Sequence, residues 1–271
     1  MDLIYDDFLI EKVLNVTELP THLYHYTSVS TLALILESKA LRFRRLDYVN
    51  DPTEATTNVE NTNQLVFASC WTANKGDSIA MWKMYAPGGL GVRVKLPTNL
   101  FHGRCRPRMY EKGGAYIETT KFGAIERKST KVCVNFIYGP NKIYCTDDEK
   151  IIKSESFQEY PEQRTFHLMD AGNFKHTCWA FEDEWRYKVL ATPIAVAETL
   201  DSSLIKTLTD TVENPVLSQY VDVPLDESAL SEIEILLSPN RDPALLILVE
   251  SVLSRYGIEK RIEESRIKIR W

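Results

Sequence analysis

The chain has 271 residues, of which 44% are hydrophobic and 26% are charged, a balance typical of a globular protein and unlike that of a fibrous or wholly disordered chain. At about 150 residues per domain, this length suits one large domain or two small ones. Thirty-two lysines and arginines against 38 aspartates and glutamates give a net charge of −6, so the overall charge does not indicate a nucleic-acid or anionic-membrane binder.

No segment predicts a membrane span or an export signal. The strongest apolar run, Ala244–Val249, is far shorter than the roughly 20 residues that cross a bilayer. The N-terminal stretch is acidic, whereas a secretory or transit segment is basic. The five cysteines are odd in number and widely spaced, which favours reduced thiols. We therefore expect a cytoplasmic protein that does not contact membranes.

Most of the chain is predicted to form short strands, with few helices between them. Residues 1–21 predict a loosely packed N-terminal lead-in, residues 104–153 predict strands and hairpins, and Ser156–Asp170 predicts a polar helix broken near Pro161. The predicted strands before the C-terminal part lie over Leu23–Thr27, Leu41–Arg44, Leu65–Trp71, Gly91–Leu96 and Glu184–Leu190. A helix follows the first strand; Ser28 or Ser30 caps it, and its apolar face is formed by Val29, Leu32, Ala33 and Leu36. A second, short helix is predicted from Asp77 or Ser78 to Tyr85.

The C-terminal part predicts a strand, a helix and a strand. Asp242 fits the N-cap of the helix, Pro243 its first position and Gly257 the position after its last turn. Strands over Glu232–Leu237 and Arg266–Trp271 flank this helix. Because the sequence has no repeats, low-complexity segments or linkers, we predict a single mixed α+β domain over residues 22–271.

Several common catalytic motifs are absent from the sequence. It contains no phosphate-binding G-x-x-x-x-G-K-[ST] loop, no H-E-x-x-H, no C-x-x-C pair and no G-x-S-x-G. His167, His176 and Cys178 lack the close, repeated spacing of a tetrahedral metal site. These observations leave P-loop NTPases, zinc peptidases, zinc ribbons and α/β-hydrolases without support, and we expect no metal.

Three short motifs are candidates for chemistry: His25-Tyr26-Thr27, Met81-Trp82-x-x-Tyr85 and Glu182-x-Glu184. Alternation along the strand predicted over Glu184–Leu190 puts Glu184, Arg186 and Lys188 on one face and Trp185, Tyr187 and Val189 on the other. Two carboxylates on one face repel each other and raise a pKa unless cations or hydroxyls compensate. Each motif also fits a structural role: a hydrogen-bonded histidine, core aromatics and a solvated strand edge.

The order of these motifs resembles that of a widespread bacterial family of uncharacterised proteins. The resemblance covers most of residues 22–271 and rests on the blocks L-Y-H-Y-T, N-D-P-x-E, F-x-S-C-W, M-W-x-x-Y-A and W-x-x-E-x-E-W-R. The block order is similar to that of the ADP-ribosyltransferase fold. It implies a split β-sheet core in which a first-strand histidine, a central tyrosine and a late-strand glutamate frame NAD as the substrate.

The resemblance implies a role for each matching residue. His25 corresponds to the histidine that binds the adenosine-side ribose, Tyr85 or alternatively Tyr26 to the aromatic that stacks on nicotinamide, and Glu184 or alternatively Glu182 to the catalytic glutamate. A carboxylate on the ribose 2′-hydroxyl binds more strongly as positive charge develops during cleavage of the nicotinamide–ribose bond. The residues expected to contact NAD are His25, Tyr26, Thr27, Arg42, Arg44, Asn50, Asp51, Glu54, Trp82 and Arg186, with the arginines on the pyrophosphate.

The function expected from this resemblance is glycosyl transfer from NAD, either as an ADP-ribosyltransferase with a protein or nucleic-acid acceptor or as an NAD glycohydrolase. Bacterial enzymes of this type often act as toxins or phage-defence effectors, which implies an antitoxin or immunity protein as a partner. Asn50, Asp51 and Glu54 fit an Asx turn and helix cap equally well.

Two other functions remain open. The first is a nucleic-acid-binding protein or nuclease. In that case Arg42, Arg44, Arg45 and a basic group at Arg104, Arg106 and Arg108 would contact phosphates, and His25 and Glu54 would supply acid and base. The second is a non-catalytic interaction module in which Glu182, Glu184 and Arg186 form only a charge network.

Overall fold

The protein is a mixed α+β structure with many short strands. The computed structural model describes residues 19–54, 62–101, 124–127, 130–153, 157–160, 163–166, 171–193, 218–240, 242–259 and 262–269. The strands are β1 (His22–Ser28), β2 (Ala40–Arg45), β3 (Val66–Thr72), β4 (Gly91–Pro97), β5 (Ala124–Arg127), β6 (Thr130–Lys142), β7 (Tyr144–Cys145), β8 (Phe157–Tyr160), β9 (Gln163–Phe166), β10 (Phe174–Lys175), β11 (Glu184–Pro193), β12 (Tyr220–Pro224), β13 (Glu234–Leu237) and β14 (Ile262–Glu264).

Helices are fewer and mostly short. Their boundaries follow from capping side chains: the Ser28 hydroxyl accepts from the Thr31 amide, and the Asp242 carboxylate accepts from the Ala244 amide. The α-helices are α1 (Val29–Ser38), α2 (Ile79–Tyr85), α3 (Glu149–Ile152), α4 (Glu227–Ser231) and α5 (Pro243–Arg255), and 3₁₀ turns cover Leu46–Tyr48, Thr62–Gln64, Pro87–Gly89 and Thr177–Glu182.

Ten strands form one mainly antiparallel sheet. Eight of them follow the order β14-β13-β4-β1-β3-β11-β6-β5, and β2 joins β3 to β12 beside this path. Only the β13–β14 pair of this sheet is parallel among the described residues. The sheet places β11, which carries the candidate glutamates, directly between β3 and β6.

Strands β1 and β2 share one edge of β3. The pairing of β1 with β3 is at Tyr24↔Thr72, and β2 pairs with the other end of β3, at Ala68 and Phe67. Between these two places, the edge of β3 at Cys70 has no ladder partner among the described strands; its carbonyl oxygen instead accepts a hydrogen bond from His25 Nδ1 at 2.8 Å. The sheet therefore opens between β1 and β2 on this side of β3.

The two faces of the sheet differ in chemistry. Trp185, Tyr187 and Val189 of β11 lie in the main apolar core, which α1 and α5 cover. Glu184, Arg186 and Lys188 lie on the other face, where they are also buried. This is the alternation expected from the sequence, and it positions the candidate site on the face that carries α2.

The C-terminal helix is confirmed in detail. Helix α5 begins after Asp242, has Pro243 at its first position and buries Leu245, Val249 and Leu253. Gly257 follows the helix with φ of +65°, a backbone conformation that glycine adopts without strain.

Helix α1 differs in detail from its prediction. Ser28 rather than Ser30 caps it, and Ile35 is buried whereas Ala33, predicted on the apolar face, is only half-buried.

Two secondary-structure predictions are wrong. Within Ser156–Asp170 the chain forms the antiparallel pair β8 and β9, because β-favouring aromatic residues lie on both sides of Pro161 and outweigh the weak helical pattern. Of the C-terminal strand predicted over Arg266–Trp271, residues 266–269 are not a strand, and strand β14 lies earlier, at Ile262–Glu264. Residues 270–271 lie outside the described residues. The Ile267 amide donates to the Ser265 hydroxyl at 3.1 Å, a local bond that replaces ladder pairing.

Of the described residues, no helix is long and apolar enough to cross a membrane. Residues 1–18, which make up most of the predicted lead-in, lie outside the described residues, and β1 begins at His22.

Candidate functional site

Three glutamates meet two cations on the α2 face of the sheet. Lys175 Nζ lies 2.7 Å from an oxygen of Glu182 and 2.7 Å from an oxygen of Glu184. It also lies 3.9 Å from Glu54. Arg186 forms ion pairs with both Glu184 and Glu54, its Nε lying 2.5 Å from Glu184. All five side chains are almost fully buried, so their charges are compensated by one another rather than by water.

The backbone between the two neighbouring glutamates explains how both reach Lys175. Glu182 ends the 3₁₀ turn and Glu184 begins β11, and Asp183 between them adopts a left-handed conformation with φ of +47°. Aspartate tolerates this region better than most residues. The turn aims the Glu182 side chain at the same cluster although it is not on the strand. The sequence analysis placed both carboxylates on one face of a single strand, whereas in the structure only Glu184 belongs to the strand.

Tyr85 at the end of α2 completes the group. Its hydroxyl donates a hydrogen bond to Glu182 Oε1, and its ring is half-buried. Helix α2 is held against β1 by the Trp82 ring, which lies 4.7 Å edge-on from the Tyr26 ring, and the Trp82 indole donates to Asp77 at 3.1 Å. Helix α2 thus contributes the Tyr85 hydroxyl to the cluster.

Arg186 is positioned by the segment before the 3₁₀ turn. Its NH1 donates to the Gly172 carbonyl at 2.9 Å. Gly172 has φ of +74°, and a Cβ there would lie 2.9 Å from Leu46 and 3.2 Å from Arg186, so only glycine fits between them. The neighbouring Lys188 donates to the Ala171 carbonyl at 3.0 Å and to Asn173 Oδ1 at 2.5 Å. Residues 171–173 therefore accept hydrogen bonds from both buried cations of β11.

Burial and mutual repulsion shift the protonation of the cluster. Burial raises the pKa of Glu184 to about 7, with Glu182 adding to the shift and Lys175 opposing it. Burial by itself lowers the pKa of Lys175, but Glu184 and Glu182 raise it above its usual range. Burial and Glu182 raise the pKa of Tyr85, and burial lowers that of Arg186 to about 9. One carboxyl of the cluster is thus poised to exchange a proton near neutral pH.

The free energy of unfolding is expected to fall as the pH rises from about 4.5 to about 7. Over this window the folded protein retains a proton on Glu184 that the unfolded chain releases, so higher pH favours unfolding, by roughly 3 kcal/mol in all. Urea titrations at several pH values measure this slope. Glu184→Gln is expected to remove it, whereas Glu263→Gln on the exposed side of β14 leaves it unchanged. Identical slopes in the wild type and Glu184→Gln would contradict the assignment.

His25 lies apart from the glutamates. It follows Leu23 by two residues on β1, and its ring lies 5.1 Å from that of Trp71, so it faces the apolar core. Glu184 is on the opposite face. Burial lowers the pKa of His25, and the hydrogen bond to Cys70 opposes this shift. The structure therefore does not bring His25 and Glu184 together, because a difference of one residue along a strand changes the face.

The remaining predicted contacts are divided between the cluster and other places. Glu54 and Arg186 are in the cluster, whereas Tyr26 and Trp82 are buried beside it on β1 and α2. Thr27 is buried on the opposite face of β1, which it shares with His25. Asp51 accepts from the Thr53 amide and hydroxyl, which is the Asx turn. Asn50 precedes this turn.

The arginines predicted on β2 lie on the exposed side of that strand. Arg42 pairs with Asp222 at 2.9 Å and stacks on Tyr220, and Arg44 is exposed. The basic group Arg104, Arg106 and Arg108 lies outside the described residues.

Three features of the cluster have no clear signal in the sequence: the presence of Lys175, the presence of Cys70, and the pairing of Glu54 with Arg186. Cys70 lies across from Arg186 on β3, and burial followed by the Glu184 carboxylate raises the pKa of its thiol well above the usual value. Lys175 is far from Glu54 in the sequence, and no periodic pattern relates them. The one usable signal is that Lys175 comes shortly before Glu182 and Glu184 in the sequence. Among the described residues, no group of histidine, cysteine, aspartate and glutamate has an arrangement that could hold a metal ion.

Comparison with known proteins gives one partial match. The curated proteins and the solved structures give no match to the chain. Residues 81–187, which include Tyr85, Lys175, Glu182 and Glu184, are similar to a family described as a protein of unknown function (DUF2971). This match supports the resemblance to an uncharacterised family and assigns no activity.

Proposed function

We propose that the protein consumes NAD, either as an ADP-ribosyltransferase or as an NAD glycohydrolase, with Glu184, Glu182 and Tyr85 at its centre. The observation that carries this proposal is the convergence of two buried carboxylates, Glu182 and Glu184, on Lys175, with the Tyr85 hydroxyl bonded to Glu182. Buried groups with perturbed pKa values in such an arrangement are typical of catalytic sites. A buried ion-pair network without catalysis is the competing explanation, and the experiments below separate the two.

The proposed reaction breaks the bond between the nicotinamide nitrogen and the ribose C1′. The bonding electrons leave with nicotinamide, which departs neutral, and positive charge develops on the ribose. The Glu184 carboxylate would accept a hydrogen bond from the ribose 2′-hydroxyl and strengthen it as this charge develops. Water or a nucleophilic acceptor then bonds to C1′ and loses a proton to solvent or to a carboxylate of the cluster. Glu184 acts in its ionised form, and its raised pKa puts that ionisation near neutral pH.

The sheet and α2 add support to this proposal. Among the described strands, the edge of β3 has no ladder partner between its pairings with β1 and β2. A split sheet of the ADP-ribosyltransferase kind is part of the proposal. Tyr85 is half-buried beside the carboxylates, and in this proposal its ring would stack on nicotinamide. We include a cytoplasmic location in the proposal because NAD is available there. A toxin or phage-defence role with a neutralising protein is a further part of it that rests on analogy.

Expression in a bacterial host tests the proposal in cells. Induction of the full chain is expected to lower cellular NAD and arrest growth, and Glu184→Gln at equal protein level is expected to do neither. Glu263→Gln, which changes an exposed carboxylate, serves as the matched control and is expected to behave as the wild type. Unchanged NAD in cells that accumulate the folded wild type, or equal growth arrest by Glu184→Gln, would contradict the proposal.

A further inference from the structure

A second buried arginine lies on the same face of the sheet as the glutamate cluster. Arg93 on β4 is 9% exposed, and its guanidinium carbon lies 4.6 Å from the centre of the Tyr24 ring and 5.8 Å from that of Tyr26. Register connects this place to the candidate site: Arg93 is opposite Tyr26, the neighbouring Tyr24 is opposite Thr72, and Thr72 is opposite Glu184. Residues opposite one another in a ladder share a face.

Within the described part of the chain, Arg93 differs from the other buried arginines in having no carboxylate partner. Arg45 is paired with Asp47, and Arg186 with Glu54 and Glu184. No ion pair is formed by Arg93 with any described residue; its NH1 donates to the Lys75 carbonyl at 2.9 Å, and its buried Nε has no hydrogen-bond partner. A buried charge normally has a counter-ion, because desolvation without one is costly. Stacking on tyrosine offsets only part of that cost.

We propose that Arg93 binds the phosphate groups of the dinucleotide substrate. This assignment rests on the proposed function for the identity of the substrate. That an anion binds here is inferred from Arg93 itself, whose buried charge has no counter-ion among the described residues. The guanidinium has a planar fork that suits phosphate oxygens, and its Nε is the donor left unused. Three strand spacings separate β4 from β11, roughly 14 Å between backbones. Both side chains lie on the same face, and we expect an extended dinucleotide to be long enough to contact both.

This assignment replaces the arginines predicted from the sequence. Arg186 is bonded to Glu54, Glu184 and the Gly172 carbonyl, and Arg42 is paired with Asp222 on the exposed side of β2. Neither has the unused buried donor that Arg93 has. Tyr24 and Tyr26 hold the guanidinium plane in place, which reduces the ordering that phosphate binding requires.

Calorimetric titration of the full chain with NAD, pyrophosphate and nicotinamide riboside tests the assignment. Nicotinamide riboside keeps the bond that is broken but lacks phosphate. We expect Arg93→Gln to weaken NAD and pyrophosphate binding on the order of 10- to 100-fold and to leave nicotinamide riboside binding unchanged. Arg255→Gln is the control, because Arg255 is an exposed arginine beside a tyrosine ring on α5. Arg93→Lys, which keeps the charge and loses the fork, is expected to weaken NAD binding as well.

The possible results distinguish this inference from the proposed function. Pyrophosphate binding that depends on Arg93, without any release of nicotinamide from NAD, would support the anion site and contradict NAD cleavage. Nicotinamide release with the same KM for NAD in wild type and Arg93→Gln would overturn the anion site alone. Equal affinity of the wild type and Arg93→Lys for NAD and pyrophosphate, or no binding of either compound to the folded wild type, would also overturn it.

Discussion

Glu184→Gln is expected to lower the rate of nicotinamide release by roughly 10²- to 10³-fold, the usual effect of removing one group that stabilises transition-state charge. Glutamine has the size of glutamate and keeps hydrogen-bonding capacity, but it cannot provide the negative charge. Because the pKa of Glu184 is raised to about 7, the neutral side chain is well tolerated in the fold, and the variant is expected to be at least as stable as the wild type at neutral pH. The loss of rate therefore reports chemistry rather than unfolding.

Steady-state kinetics of single variants distinguish the two glutamates. If Glu184 binds the ribose hydroxyl, Glu184→Gln lowers kcat with little change in KM, whereas Glu182→Gln and Tyr85→Phe, which disturb the bond between Tyr85 and Glu182, have smaller effects. The rate of the wild type is expected to rise with pH through about 7 as Glu184 ionises. A larger loss in Glu182→Gln than in Glu184→Gln would exchange the roles, and full activity in both would contradict catalysis at this cluster.

Arg186→Met is expected to destabilise the protein by about 3–5 kcal/mol, because it removes the cation that is paired with both Glu54 and Glu184. Methionine fills much of the space, so the loss measures uncompensated buried charge more than an empty cavity. Urea denaturation at neutral pH gives the free energy of unfolding. The control is Arg42→Met, in which a partly exposed pair with Asp222 is lost at a cost of about 1 kcal/mol or less.

A second variant shows whether the effect comes from charge. Adding Glu54→Gln to Arg186→Met removes one of the two stranded carboxylates and is expected to restore part of the stability. A loss in Arg186→Met no larger than that in Arg42→Met would show that the buried network contributes little. Equal loss in the single and double variants would attribute the effect to packing instead of charge.

Local patterns in the sequence predicted the elements that local forces determine. Alternation along Glu184–Leu190 correctly assigned Glu184 and Arg186 to one face of β11, because the side-chain period of a strand leaves no other choice. Asp242, Pro243 and Gly257 correctly predicted the ends of α5, because capping depends on a few neighbouring residues.

Contacts between distant parts of the chain were not predictable in the same way. Glu54 meets Arg186, 132 residues later, through the packing of a loop against β11, and no local pattern encodes this pairing. Lys175 reaches the glutamates from β10, a two-residue strand too short to produce a periodic signal. For His25, the sequence was enough to predict which face of β1 it occupies. His25 lies two residues after Leu23 and so shares its core-facing side, whereas Tyr24 and Tyr26 lie on the side of the candidate site. The motif placed it with Glu184, but the strand period places it on the other side.

The most direct test of the central claim is the release of nicotinamide from NAD by the purified chain, measured with and without bacterial lysate. We predict release by the wild type and its loss in the double variant Glu182→Gln, Glu184→Gln, with folding of both checked by circular dichroism. Free ADP-ribose without lysate would identify a glycohydrolase, and release that requires lysate would identify a transferase. No release by the folded wild type under either condition, or equal release by the double variant, would contradict the assignment of this cluster as an NAD-cleaving site.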